Sequence, residues 1–367
     1  MIVWVIAGLL GMATGLRIGW ALVNRQSVVS GAMILALGSL ALVAALNWPP
    51  LTILLDTALG WPNISVGLSQ VALVGSAAGS CVMITSVASE RGPRGTRRLA
   101  LAQYALAAVI AAVSLGLFLA GERQPESSPQ DYLARNLGSS NTALPWLVPL
   151  LYVLMALTLV FWVGVRLSNP SRRGRALLVF TAGIALIVAA VTFVLIRAVW
   201  STPLVGVGTA AALLMCAMAM VAAGSLLPAA EDWVGARREL RLIEPLRREM
   251  HRRHPDVGIG VRPRGPLVFR VAERLSLISD SLYLEAAGYR ADGEDEGEPP
   301  VSASPAERAL AVARWLHGSR PGDGAGDGAG ESSGFPGRAW LRQPDSYSDR
   351  EWILEIARSY GMLDGAR

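Results

Sequence analysis

Residues 99–120 read LALAQYALAAVIAAVSLGLFLA, 22 positions without a charge, with Arg97 and Arg98 immediately before them and Glu122 and Arg123 just after. A helix needs roughly 20 mostly apolar residues to cross the hydrocarbon core of a bilayer, so this stretch predicts one span. Six further runs meet that length: Ile2–Val23, Val28–Leu46, Val66–Ala88, Leu144–Leu167, Ala176–Trp200 and Leu204–Leu227. The fold class is therefore an all-α integral membrane protein. Its body is a seven-transmembrane helix bundle.

The connections orient it. Arg25 lies between runs 1 and 2, Arg91, Arg94, Arg97 and Arg98 between 3 and 4, and Arg172, Arg173 and Arg175 between 5 and 6. Residues 48–65 hold no basic residue, and 121–143 balance Arg123 and Arg135 against Glu122, Glu126 and Asp131. Short Arg-rich loops stay cytoplasmic, which puts the N-terminus outside and everything after Pro228 inside. Trp48, Trp61, Trp146 and Trp200 then fall at the outer ends, where amphipathic rings sit at the headgroups. The Pro-bounded stretch 48–63 is too short to cross and is expected to be a short interfacial helix or loop folded against the outer surface. With no basic residue before Arg17 and no small-residue cleavage site, the first run reads as a retained span and not a signal peptide.

Composition agrees with a division at residue 228. Of 367 residues, 52% are hydrophobic and 17% charged, with mean hydropathy +0.42. Residues 1–230 carry 13 Arg and 5 acids, and residues 231–367 carry 20 Arg and 23 acids. The net +5 is thus an apolar basic body joined to a slightly acidic tail, and no nucleic-acid partner is implied. All 33 basic residues are Arg. Without lysine there is no Schiff base and no P-loop, and no cofactor is expected. Cys81 and Cys216, inside apolar runs, form no metal pattern and read as packing residues.

Charges within spans are costly and are functional candidates by default. Arg17 and Arg197 are the two, both near enough to a span end to snorkel. Arg17, Gln70 and Gln103 are retained as weak candidates, with Tyr104 beside them; an interhelical hydrogen bond is the plain role for the amides. Gly11, Gly15 and Gly19, and Gly75 and Gly79, stand four apart, a spacing that lets helices approach closely. No acid lies within a span, whereas coupled carriers usually keep one near the midplane. Asn63-Ile64-Ser65 matches a glycosylation triplet, which stays idle if the Lys-free, Ala/Gly-rich composition reflects a high-G+C bacterial genome. His251 and His254 have metal-like spacing, but Arg252 and Arg253 between them oppose a cation. No catalytic arrangement of Ser, His, Asp or Cys appears, so neither an enzyme nor a metal site is expected.

The tail, 229–367, reads as an all-α cytoplasmic domain with flexible, disordered linkers near 291–303 and 318–345, both too polar to bury a core. Pro245 suits the first turn of a helix ending near Arg253. Val268, Val271, Leu275, Ile278 and Leu282 are spaced 3, 4, 3, 4 and form a seam predicted to be buried against tail helices or a second copy. Ser304-Pro305-Ala306-Glu307 and Ser348-Asp349-Arg350-Glu351 are capping boxes, and Gly361 a helix stop.

The segments Arg241-Leu242-Ile243-Glu244-Pro245-Leu246, His254-Pro255-Asp256-Val257-Gly258-Ile259, Phe269-Arg270-Val271-Ala272-Glu273-Arg274 and Ile278-Ser279-Asp280-Ser281-Leu282 follow in order. Together with Ala309–Leu316 and Trp352–Tyr360, they make Arg237–Met362 resemble the conserved cytoplasmic domain of unknown function that closes a family of multi-pass, transporter-labelled proteins of high-G+C Gram-positive bacteria. Arg247 and Ser279 depart from that family's pattern, which has Trp and Arg there. The resemblance implies a plasma-membrane location and supplies no catalytic residue or substrate. Taken together, these features favour a signalling or regulatory membrane protein embedded in the lipid bilayer. Its tail would engage a cytoplasmic protein or self-associate. The alternatives are a transporter or channel with a regulatory tail, and a membrane scaffold.

Overall fold

A computed structural model describes residues 2–23, 27–88, 92–137, 144–199, 206–258, 267–290, 299–300, 302–318 and 335–365. Among them every regular element is helical. The chain divides into two compact units, Met1–Pro228 and Ala229–Arg367.

The first unit holds α1 (Ile2–Val23), α2 (Val28–Leu46), α3 (Pro49–Leu59), α4 (Ile64–Ala88), α5 (Pro93–Ala120), α6 (Pro129–Asn136), α7 (Leu144–Leu167), α8 (Arg172–Val199) and the first half of α9 (Val207–Arg253). Six of them, α2, α4, α5, α7, α8 and α9, are long and apolar enough to cross a membrane. The first expected span is α1, whose apolar stretch, Val3–Gly19, is shorter. Helix α4 is the most buried; α2, α5 and α7 pack around it, and α1 packs on α2.

Glycine sets the closest approaches. A Cβ on Gly79 would stand 2.7 Å from both the Ala32 carbonyl oxygen and the Ala36 nitrogen, so α2 and α4 touch backbone to backbone there. Gly224 does the same against Phe180, where a Cβ would lie 2.5 Å from the backbone nitrogen. The glycines of α1 differ from expectation. Gly11, Gly15 and Gly19 are exposed with nothing within 4 Å of a Cβ, because Ile6, Leu10 and Ala13 form the packed side of α1.

Two short helices lie in the connections. Pro49 and Pro50 open α3, and Gly60, at φ 63°, closes it in the left-handed region that glycine adopts without strain. The residues expected to be loop at 129–136 form α6, with Pro129 at its start and the Ser128 hydroxyl accepting from the Asp131 N–H. Tyr132 anchors α6, its ring 6.1 Å from Phe118 and 6.2 Å from Trp146. Trp146 is accordingly buried and does not sit as an interfacial ring; Trp48 is exposed and Trp61 stacks under Arg123. Trp200 lies outside the described residues.

The second unit comprises the rest of α9, α10 (Leu267–Arg290), α11 (Pro305–Gly318), α12 (Arg338–Leu341) and α13 (Asp349–Gly365). Pro245 sits in the interior of α9 and not in a first turn. Helix formers on both sides carry the helix through, and the carbonyl Pro245 leaves unpaired belongs to Arg241, on the exposed side. Both capping boxes form: the Ser304 and Ser348 hydroxyls accept from the Glu307 and Glu351 N–H groups, and each glutamate accepts from the serine N–H in return. Helix α13 continues through Gly361 to Gly365.

Val271, Leu275, Ile278 and Leu282 are buried with Ile243, Leu246, Trp315, Trp352, Ile356 and Tyr360 in one core. Val268 is a correction: it is 44% exposed, and the seam runs instead from Leu267 to Ala286, since none of the described helices covers the outer side of the first turn of α10. The expected linker near 318–345 is also shorter. Phe335 meets Trp315 at 4.9 Å between ring centroids, Leu341 is buried, and its carbonyl accepts from Trp352 Nε1. The linker near 291–303 falls largely outside the described residues, as do 319–334.

Candidate functional site

The polar groups of the first unit gather at the end that bears α3 and α6. Asp56 is a buried carboxylate on α3. Its Oδ2 accepts from the Asn63 N–H at 2.9 Å and its Oδ1 from the Ser65 N–H at 3.0 Å. These are donors at the N-terminus of α4, where a negative charge is favoured. Asn63, at φ 60° and fully buried, turns the chain between the two helices. Its Nδ2 donates to the carbonyls of Gln124 and Pro125, and its Oδ1 accepts from the Ser127 N–H. Gln124 and Asn136 then exchange two amide hydrogen bonds of 2.7 and 2.9 Å. This cluster ties α3, α4, α6 and the 121–128 connection together. Spacing rules do not reveal it; the one signal in the sequence is an acid on a short apolar stretch seven residues ahead of an N-cap type residue. The Asn63 amide is engaged, which is a structural reason for the triplet to stay idle.

Gln70 has a definite role. Pro149 lies inside α7 and has no N–H, so the carbonyl four residues back, on Pro145, has no helical donor. Gln70 Nε2 donates to that oxygen at 3.2 Å, and Ser114 Oγ reaches it at 3.1 Å. Gln103 pairs elsewhere: its Oε1 accepts from Thr85 Oγ1 at 3.3 Å and its Nε2 stands 3.6 Å from Cys81 Sγ. Arg17, half-buried on α1, makes no hydrogen bond or ion pair to either glutamine. The three candidates are not one site.

Gln70 lines a cavity of about 130 Å³ between α2, α4, α6, α7, α8 and α9, walled by Leu46, Leu73, Trp146, Val191 and Leu214. On α4 its lining runs from Val66 to Leu73, seven residues, or about 10 Å of helix. That is a third of a ~30 Å hydrocarbon core. The space is a mostly apolar recess at one end.

In the second unit the charged residues form two linked sets. Arg253, with 7% of its side chain exposed, donates to Glu249, Glu285 and the Leu316 carbonyl, bracing α9, α10 and α11. Glu285 also meets His254 Nε2 at 2.6 Å. Glu244 accepts from Arg247 at 2.8 and 2.9 Å, from Arg248 at 3.0 Å and from Arg274 at 3.3 Å. Those cations hold its carboxyl at about 2, below an ordinary 4.5, the Arg247 hydrogen bond contributing most. No group of three or more metal-ligating side chains forms among the described residues. No family model, curated protein or solved structure matches the chain.

Proposed function

We propose that the chain is a multi-pass protein of a bacterial plasma membrane with seven spans, α1 being the first, the N-terminus outside and the tail in the cytoplasm. In this reading it serves signalling or regulation, the body holding the tail at the membrane and the tail engaging a cytoplasmic protein. One observation carries it: Gln70, Gln103 and Asp56 are engaged in holding the body together. Gln70 satisfies the Pro145 carbonyl, Gln103 meets Thr85, and Asp56 closes the N-terminus of α4. The tail, by contrast, has a core of its own and offers Phe269, Tyr283 and Met362 to solvent. The seam once considered for self-association is occupied within that core, so a partner would meet the outer side of α10. The resemblance of residues 237–362 to the closing domain of a transporter-labelled family belongs to the same proposal and keeps a regulated transporter as the second reading, to which the recess beside Gln70 lends support.

Photo-crosslinkers placed at Phe269 and Tyr283 of the full chain in native membranes test it. The expected result is one recurrent cytoplasmic product, lost on Phe269→Asp while insertion is unchanged. No product, together with saturable solute uptake by the protein in liposomes that Gln70→Ala abolishes, would replace signalling with transport.

A further inference from the structure

The tail contains a second cavity, about 140 Å³, between the end of α9 and the middle of α10. Arg247, His251 and His254 line it from one side and Arg274 and Ser281 from the other, over a floor of Met250, Leu277 and Ile278. No carboxylate is among the described residues that line it. The turn after α9 closes one end, where a Cβ on Gly258 would stand 3.0 Å from Leu277 Cδ2. The space is ample for a tetrahedral oxyanion.

Its electrostatics are unbalanced. One carboxylate, Glu244, serves three guanidinium groups, Arg247, Arg248 and Arg274. Arg247 and Arg274 have only 30% and 22% of their side chains exposed, so water screens their mutual repulsion poorly. Burial and the neighbouring Arg247 push the Arg274 guanidinium below its ordinary value and Arg270 adds to that repulsion, outweighing the opposite pull of Glu244 and Glu273. Among the described residues, none accepts a hydrogen bond from the buried Nε of Arg270. Arg274 uses one nitrogen on Glu244, at a long 3.3 Å, which leaves donors of its fork for another acceptor. His254 is held by Glu285, and His251 is exposed at the mouth. Guanidinium forks with unfilled donors match the geometry of phosphate oxygens. His251 and His254 thus stand in a cleft lined by cationic side chains.

We propose that this α9–α10 cleft binds a phosphate group, free or carried on a lipid headgroup, through Arg247 and Arg274. The inference concerns the tail alone and stands whether or not the tail engages a protein. Titration calorimetry of the full-length protein in maltoside, at low salt and with inorganic phosphate as the probe, tests it. The expected result is saturable binding of one phosphate per chain. Arg274→Gln and Arg247→Gln, each with unchanged helical content, should weaken it about tenfold or more, as loss of a charge-assisted hydrogen bond does. Glu244→Gln should strengthen it by releasing two forks. Nanodiscs separate the sources. Phosphate affinity lower in phosphatidic-acid discs than in phosphatidylcholine discs, with the difference lost in Arg274→Gln, assigns the cleft to a headgroup. Equal affinity in both assigns it to free phosphate. No saturable phosphate binding in detergent or in either disc, or binding that both Arg variants leave unchanged, overturns the proposal.

Discussion

A carboxylate as buried as Asp56 persists only where donors surround it, since an unpaired charge taken from water is very costly. Here the donors are the first N–H groups of α4, and the chain reaches them by turning at Asn63. Asp56→Ala leaves those N–H groups stranded, at about 1–3 kcal/mol each, whereas Asp56→Asn keeps an acceptor oxygen and should cost less. Thermal unfolding of the solubilised protein should rank the variants in that order; equal small shifts would show the bonds to be dispensable. Glu244 supplies a pH signature. Its folded pKa is depressed to about 2, so its contribution is complete above the ordinary 4.5 and is lost as pH falls from there toward about 2. The unfolding temperature of Glu244→Gln should therefore lie below that of the natural chain at pH 6, and the gap should close by pH 2–2.5. A gap that widens on acidification would contradict the pairing.

At the scale of elements, identical spacing gives opposite outcomes. Gly79→Ala drives a methyl into the backbone of α2, and forcing the helices apart should cost about 1–3 kcal/mol. Gly15→Ala meets nothing and should be neutral or stabilising by up to about 1 kcal/mol. Melting the two variants side by side checks this, and a destabilising Gly15→Ala would show that α1 packs on that face. The contrast also marks the limit of what the sequence tells. Apolar length placed α1, α2 and α7 and approximated α4, α5 and α8, because length is a property of the chain itself. Ser-x-x-Glu spacing located α11 and α13 for the same reason, and Ser128-x-x-Asp131 would have revealed α6. Which glycine row meets a neighbour is decided by residues far away in sequence. So is the exposure of Val268, which follows from what fails to cover α10. Gln70 was recognisable as polar at depth, but its role required knowing that Pro149 frees a carbonyl on a helix 75 residues away.

The whole molecule is an apolar helical body and a charged helical tail, and the function proposed for it rests on which side of a membrane each stands. The proposed orientation, which rests on the arginine-rich connections, has the 121–128 connection outside and the tail in the cytoplasm. Accessibility of single cysteines to an impermeant thiol reagent in intact cells measures that directly. Cys81 and Cys216 are free thiols, so both are first replaced by alanine. Glu126→Cys, exposed between α5 and α6, and Ser302→Cys, exposed ahead of α11, are then labelled separately. The account predicts that Glu126→Cys reacts in intact cells and that Ser302→Cys reacts only after the membrane is permeabilised; the reverse pattern would contradict it.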